Sequence, residues 1–135
     1  MGESCVIRGI RGATTVENDT ESEVISAVEL LLEEIIRKND IEPEMVASVF
    51  FSATDDIRSV FPAKALRKFE GWTYVPVTCM QEIPVINSLP SCIRVMLHVE
   101  TTKSQRDIEH VYQAGATVLR PDLTKKLEFK KKDMV

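Results

Sequence analysis

CIRVMLHV, Cys92 to Val99, is the stretch on which the fold turns. In an extended strand, alternate side chains leave opposite faces. Ile93, Val95, Leu97 and Val99 then make one wholly apolar face. Cys92, Arg94, Met96 and His98 make the other, too polar for a core and too apolar for free solvent. An arginine in the middle of so hydrophobic a strand needs an anion or a partner. A half-polar second face is what a subunit interface or an interfacial pocket presents. The strand therefore predicts a sheet with helices on one side and a different kind of contact on the other.

Reading outward, PVTCMQE (Pro76 to Glu82) places Cys79 and Glu82 just beyond a neighbouring strand. A guanidinium, a thiol and a carboxylate together suit a small ligand with both an anionic group and a hydroxyl. They do not suit nucleic acid. IRGIRGATTV (Ile7 to Val16) and FPAKALRKF (Phe61 to Phe69) each set cations beside an apolar frame. Arg8 and Arg11 are an odd number of residues apart, so on a strand only one of them can face a given cleft.

Thr20-Glu21-Ser22-Glu23 reads as a capping box. Behind it Val24, Ile25, Val28, Leu31, Leu32, Ile35 and Ile36 recur at three- and four-residue steps, one wide apolar stripe running to about Lys38. Strands are predicted from Cys5 to Ile10, Val46 to Ser52, Trp72 to Val77, Ile93 to Val99 and Ala116 to Leu119. Pro62 opens a short helix to about Phe69. Ser104 to Asp107 would cap a further helix carrying Ile108, Val111 and Tyr112. The order β-α-β-α-β-β-α-β is an α/β (α+β) fold, a mixed β-sheet packed with one long helix and short helices. Residues 1–124 are expected to form a single domain. The Lys-rich segment 125–135 has no periodicity and reads as a charged, mobile tail.

Composition bounds the function. The 135 residues carry 17 basic and 21 acidic side chains, a formal net charge of −4. That balance argues against a nucleic-acid binder or a partner of anionic membranes. No apolar run approaches a membrane span and no signal pattern opens the sequence, so a cytoplasmic location is expected. Cys5, Cys79 and Cys92 are odd in number and lack CxxC spacing, which fits a reducing compartment and no zinc site.

Each candidate also has a plainer reading. Arg94 alone is an edge-strand arginine with a surface carboxylate, and Glu82 alone is a solvated loop residue. Cys79 alone is a small buried hydrophobe. Lys64 and Arg67 read as a solvated helical face, and His98 and His110 as surface or interface packing. Neither a dinucleotide nor a phosphate-loop glycine pattern is present. No Ser-His-Asp, paired acidic or metal constellation emerges. An enzyme built from these parts would work by binding and electrostatics.

Taken together, RGIRGATTVE (Arg8 to Glu17), FSATDDIRSVFPAKALR (Phe51 to Arg67), GWTYVPVTCMQE (Gly71 to Glu82), CIRVMLHV and VLRPDL (Val118 to Leu123) resemble the monofunctional chorismate mutases of the bacterial AroH class. The resemblance runs from about Val6 to Leu123. It implies a homotrimeric pseudo-α/β-barrel with active sites between neighbouring subunits. It implies conversion of chorismate to prephenate in phenylalanine and tyrosine synthesis, with no metal and no cofactor. By the resemblance, Arg94 serves the ether oxygen and side-chain carboxylate, Arg11 grips that carboxylate with Tyr112 nearby, and Glu82 with Cys79 holds the ring hydroxyl. Phe61, Ala63, Lys64 and Arg67 would come from the neighbour. Val77, Thr78 and Leu119 would line the pocket, and Arg120 would begin the tail. Asp55-Asp56 departs from the family pattern, where a proline-containing turn is expected, so this loop should be less stiff. The rival readings are a trimeric enamine/imine deaminase and a metabolite-binding regulatory trimer.

Overall fold

The structure is a computed structural model that describes residues 4–124; the predicted tail over 125–135 lies outside the described residues. Five strands form one mixed sheet. In chain order they are β1 (Val6–Thr15), β2 (Val46–Ala53), β3 (Val77–Gln81), β4 (Cys92–Thr101) and β5 (Val111–Tyr112). Their spatial order is β3-β2-β4-β1-β5. β4 is antiparallel to both β1 and β2, while β3 runs parallel to β2 and β5 parallel to β1.

The long helix α1 (Glu21–Asn39) covers one face. Its first turn is capped by Thr20, whose Oγ1 accepts the Glu23 N–H at 3.2 Å. The second half of the expected capping box is rerouted. The Thr20 N–H is already taken by the Asn18 carbonyl at 3.0 Å. The Glu23 carboxylate therefore reaches back to the N–H groups of Glu17 at 2.6 Å and Asn18 at 3.0 Å. Those amides hold its carboxyl below the ordinary carboxylate range. The helix ends at Asp40 in the left-handed region, where φ is 51°.

The predicted stripe is the buried one: Val24, Val28, Leu31, Leu32 and Ile35 are fully buried. They meet Ile10 of β1, Val49 and Phe51 of β2, and Ile93, Val95, Leu97 and Val99 of β4. Each such side chain contributes on the order of 1.5–3 kcal/mol relative to exposure. The helix can approach this closely because Gly12 has no side chain. A Cβ there would lie 2.6 Å from Ile35 Cδ1 and 3.1 Å from Val95 Cγ1. Gly12→Ala is expected to cost about 1–3 kcal/mol by overpacking. Thermal denaturation at fixed protein concentration measures it, and an unchanged midpoint would contradict this packing.

Four sequence expectations need correcting. The glycine-bracketed segment is strand throughout, so β1 runs five residues beyond the expected end at Ile10, to Thr15. The strand placed at Trp72–Val77 begins only at Val77. Trp72 to Val75 form a turn, closed by the Val75 N–H on the Trp72 carbonyl at 3.1 Å, and ladder pairing starts at the Pro76 carbonyl. The helix expected to carry Val111 and Tyr112 stops after one 3-10 turn, Gln105–Asp107, because the chain becomes extended at Ile108. Val111 and Tyr112 instead pair with Gly12 and Ala13 of β1. The strand expected over Ala116–Leu119 is a 3-10 turn, Ala114–Val118, pinned by the Gly115 N–H on Thr15 Oγ1 at 2.9 Å. The helix opened by Pro62 is present as a 3-10 helix, Pro62–Lys68.

The loop at Asp55-Asp56 is well tied. Asp56 accepts from Thr54 Oγ1 and from the Ser91 N–H at 2.9 Å, while Asp19 takes the N–H groups of Arg58 and Ser59. Carboxylates stand in here for the expected proline. The described residues contain no helix long and apolar enough to cross a membrane.

Candidate active site

The face of the sheet away from α1 carries the second side-chain set of β4, as its alternation predicted. Antiparallel register places Arg94 opposite Ala13 of β1 and Ser52 of β2, and Met96 opposite Arg11 and Phe50. Arg11 therefore faces this side, and Arg8 faces the other, where its Nε donates to the Lys103 carbonyl at 3.0 Å. β5 brings Tyr112 beside Ala13, and the chain leaving β3 brings Glu82 over Ser52. Arg11, Glu82, Arg94 and Tyr112 thus line one cleft, floored by Phe50, Met80 and Met96.

The polar centre of the cleft is the Glu82 carboxylate. Its Oε2 accepts from Ser52 Oγ at 2.7 Å and lies 3.2 Å from Arg94 Nε. The Arg94 side chain is 45% exposed, so this pair adds little to stability. Its value is directional. With Nε within 3.2 Å of Glu82, the two Nη groups remain to serve a ligand with two acceptors. Beneath Arg94, Cys92 is buried with Ala13 and Ala116, and Leu119 and Tyr112 pack against that small cluster. Burial pushes the Cys92 thiol up, against the opposing pull of Arg94. That suits packing better than nucleophilic chemistry.

Arg11 is held from behind. Its backbone N–H donates to His110 Nδ1 at 2.9 Å, which fixes that nitrogen as unprotonated and the ring proton on Nε2. His110 was expected to be simple packing. Ser52 was absorbed into an apolar run. Neither role is legible in the sequence, because each depends on strand pairing across tens of residues.

The remaining candidates gather elsewhere. Phe61, Ala63, Lys64, Arg67, Val77 and Cys79 line a second groove, between the 3-10 helix Pro62–Lys68 and the β3 edge. Cys79 pairs with Phe51 and packs against the main core, so it lies on the α1 side of the sheet, away from Glu82. The expectation that one chain sets Cys79 and Glu82 side by side is thus not met within a single chain. Thr78 is exposed on β3 beside Phe50 and lines neither groove. Arg120 follows the last 3-10 turn and is paired with Asp122 at 2.8 Å through Nη2. Lys64 is paired with Glu21 at 2.9 Å at the surface. Phe61 is 74% exposed, and Met80, Ile83, Val85 and Ile86 form a run of exposed apolar side chains next to Glu82.

Among the described residues no group of three or more His, Cys, Asp and Glu side chains could hold a metal ion. The cleft offers two guanidiniums, one carboxylate, one phenol and an apolar floor. It can bind an anion, orient a hydroxyl and stabilise charge.

Comparison with known proteins agrees with this chemistry. Residues 7–123 match the family model described as chorismate mutase type I. The chain is 56% identical over 119 residues to the chorismate mutase AroH of Bacillus subtilis, covering 88% of this chain and 94% of that protein. It is 43% identical over 119 residues to the chorismate mutase AroH of Thermus thermophilus, covering 87% and 97%. A solved chorismate mutase from Clostridium thermocellum superposes with a TM-score of 0.80 at 46% identity, covering 82% of this chain and 98% of that one. A match across nearly the whole described chain, on a cleft of this composition, makes the chain a member of the type I chorismate mutase family.

Proposed function

We propose that this chorismate mutase completes its active site between three copies of the chain, each interface joining the cleft of one copy to the second groove of its neighbour. The reaction is the rearrangement of chorismate to prephenate. It is pericyclic: one C–O bond breaks while a C–C bond forms, through a chair-like transition state. Negative charge grows on the ether oxygen and positive charge on the ring. No proton moves and no covalent intermediate forms.

The observation that carries the reading is the division of the site residues. Arg11, Glu82, Arg94 and Tyr112 share one cleft, while Phe61, Ala63, Lys64, Arg67, Val77 and Cys79 share another. The two lie toward opposite faces of one sheet, so within one chain they form separate sites. Two further features support assembly. The face that carries the cleft is partly apolar, and Met80, Ile83, Val85 and Ile86 are exposed beside it. Surface of that kind marks an interaction site.

In this arrangement Arg94 donates its Nη fork to the ether oxygen and the side-chain carboxylate. Arg11 binds the same carboxylate, with Tyr112 beside it. Glu82 from one copy and Cys79 from the next meet the ring hydroxyl. Glu82 also favours the positive charge that develops on the ring. Lys64 and Arg67 attract the second carboxylate from the mouth, Phe61, Ala63 and Val77 form the apolar wall, and Thr78 and Leu119 flank it. Arg120 stands at the start of the segment that leads to the tail. The site is set in a cytoplasmic enzyme of aromatic amino acid synthesis.

The magnitudes suffice. A million-fold acceleration corresponds to about 8 kcal/mol. One preorganised donor at a developing oxyanion supplies roughly 3–4 kcal/mol. Selecting the compact, reactive conformer of the substrate supplies part of the rest. Analytical ultracentrifugation tests the assembly: the expected mass is three times the 15.2 kDa chain. A fully active monomer would overturn it.

A further inference from the structure

We infer that Ser52 is a positioning residue for the rearrangement, holding Glu82 in a one-oxygen contact with Arg94 and so keeping both groups available to the substrate. The inference rests on the assignment of Glu82 and Arg94 given above. Ser52 lies near the end of β2, in register with Arg94 on β4 and Met80 on β3, on the face that carries the cleft. Its hydroxyl donates to Glu82 Oε2 at 2.7 Å, and the same oxygen lies 3.2 Å from Arg94 Nε. Among the described residues, no hydrogen bond reaches Oε1 of Glu82. Oε2 therefore carries the Ser52 hydrogen bond and the ion-pair contact with Arg94, and Oε1 remains to accept from a ligand hydroxyl.

The alternative geometry explains why the serine matters. A carboxylate beside a guanidinium gains most by closing on it with two parallel hydrogen bonds. Such a pair would draw an Arg94 Nη group away from the ligand and commit both Glu82 oxygens. A hydroxyl already seated on Oε2 competes with that closure from the β2 side. Ser52 sits on a paired strand, and the Ser52–Glu82 contact is partly buried, so the hydroxyl is presented from a fixed backbone. The same strand repeats the device four residues earlier, where Ser48 Oγ lies 3.0 Å from His98 Nδ1. Neither Ser48 nor His98 lines the cleft, which this pair meets only through the His98 ring edge on Phe50, and the pair serves as an internal control.

The test is a double-mutant cycle on chorismate turnover with Ser52→Ala, Glu82→Gln and the combined variant. Ser52→Ala is expected to lower kcat about tenfold with less than about a twofold change in KM. Its thermal midpoint should match that of Ser48→Ala, which removes the equivalent hydroxyl outside the site. Ser52→Thr, which keeps the donor on a residue suited to a strand, should recover most of the loss. In the Glu82→Gln background, Ser52→Ala should change kcat by less than about twofold, because residues acting through one another are not additive. Wild-type kcat in Ser52→Ala, or a full tenfold loss on top of Glu82→Gln, would overturn the role of Ser52 while leaving that of Glu82 intact. A Glu82→Gln enzyme with unaltered kcat would instead overturn the assignment of Glu82.

Discussion

Arg94→Lys is expected to fold, assemble and lose at least about a hundredfold in kcat, the cost of one oxyanion donor. Lysine keeps the positive charge, so the loss isolates geometry. The guanidinium keeps Nε within 3.2 Å of Glu82 and can direct its Nη N–H groups at the ether oxygen and the carboxylate. An ammonium is a compact point charge that cannot meet Glu82 and both substrate acceptors from one position. The fold should tolerate the change, since the Arg94 side chain is 45% exposed and its strand is secured by Ile93 and Val95 on the other face. Turnover is followed by loss of chorismate absorbance, with prephenate confirmed by acid conversion to phenylpyruvate. Near-wild-type kcat would refute the role at the ether oxygen.

Glu82→Gln is expected to lower kcat by roughly ten- to a hundredfold and to change KM much less, as befits a group whose charge matters mainly in the transition state. The substitution keeps shape and removes charge. The Gln carbonyl can still accept from Ser52, so the side chain stays where it is. What disappears is the negative charge facing the ring as positive charge develops there. A raised KM with unaltered kcat would show that Glu82 only binds the hydroxyl.

The contrast between what could and could not be seen in the sequence has physical causes. α1 and β4 were legible because their burial is one-sided over many residues, and each repeats its period several times. Arg94 and Arg11 were legible as odd cations on strands whose other face is apolar. Tyr112 was assigned to a helix because Ile108, Val111 and Tyr112 fit helical spacing. In the structure, pairing with Gly12 and Ala13 outweighs that weak local signal, and it is this pairing that delivers Tyr112 to the cleft. The strand at Trp72–Val77 failed for a similar reason. Its alternation was real, but Trp72 is used to close a turn, Tyr74 is 95% exposed, and Pro76 lacks the donor a ladder needs. Ser52 and His110 were invisible because their partners are 30 and 99 residues away. Cys79 is the instructive intermediate case. It lies three residues from Glu82 in sequence, yet strand alternation and the β3 edge carry it to the other side of the sheet.

That separation leads to the measurement that bears most directly on the account. Two chains are prepared, one carrying Arg94→Lys and the other both Lys64→Glu and Arg67→Glu. Each should be nearly inactive alone, the first lacking the donor fork and the second repelling the substrate carboxylates from the groove. The two are then mixed in equal amounts, unfolded and refolded together, and assayed for chorismate turnover. If each site draws one half from one chain and one half from its neighbour, random assembly places two intact halves together at about a quarter of the interfaces. The mixture should therefore recover about a quarter of wild-type activity. A mixture no more active than its separate components would contradict an active site shared between chains.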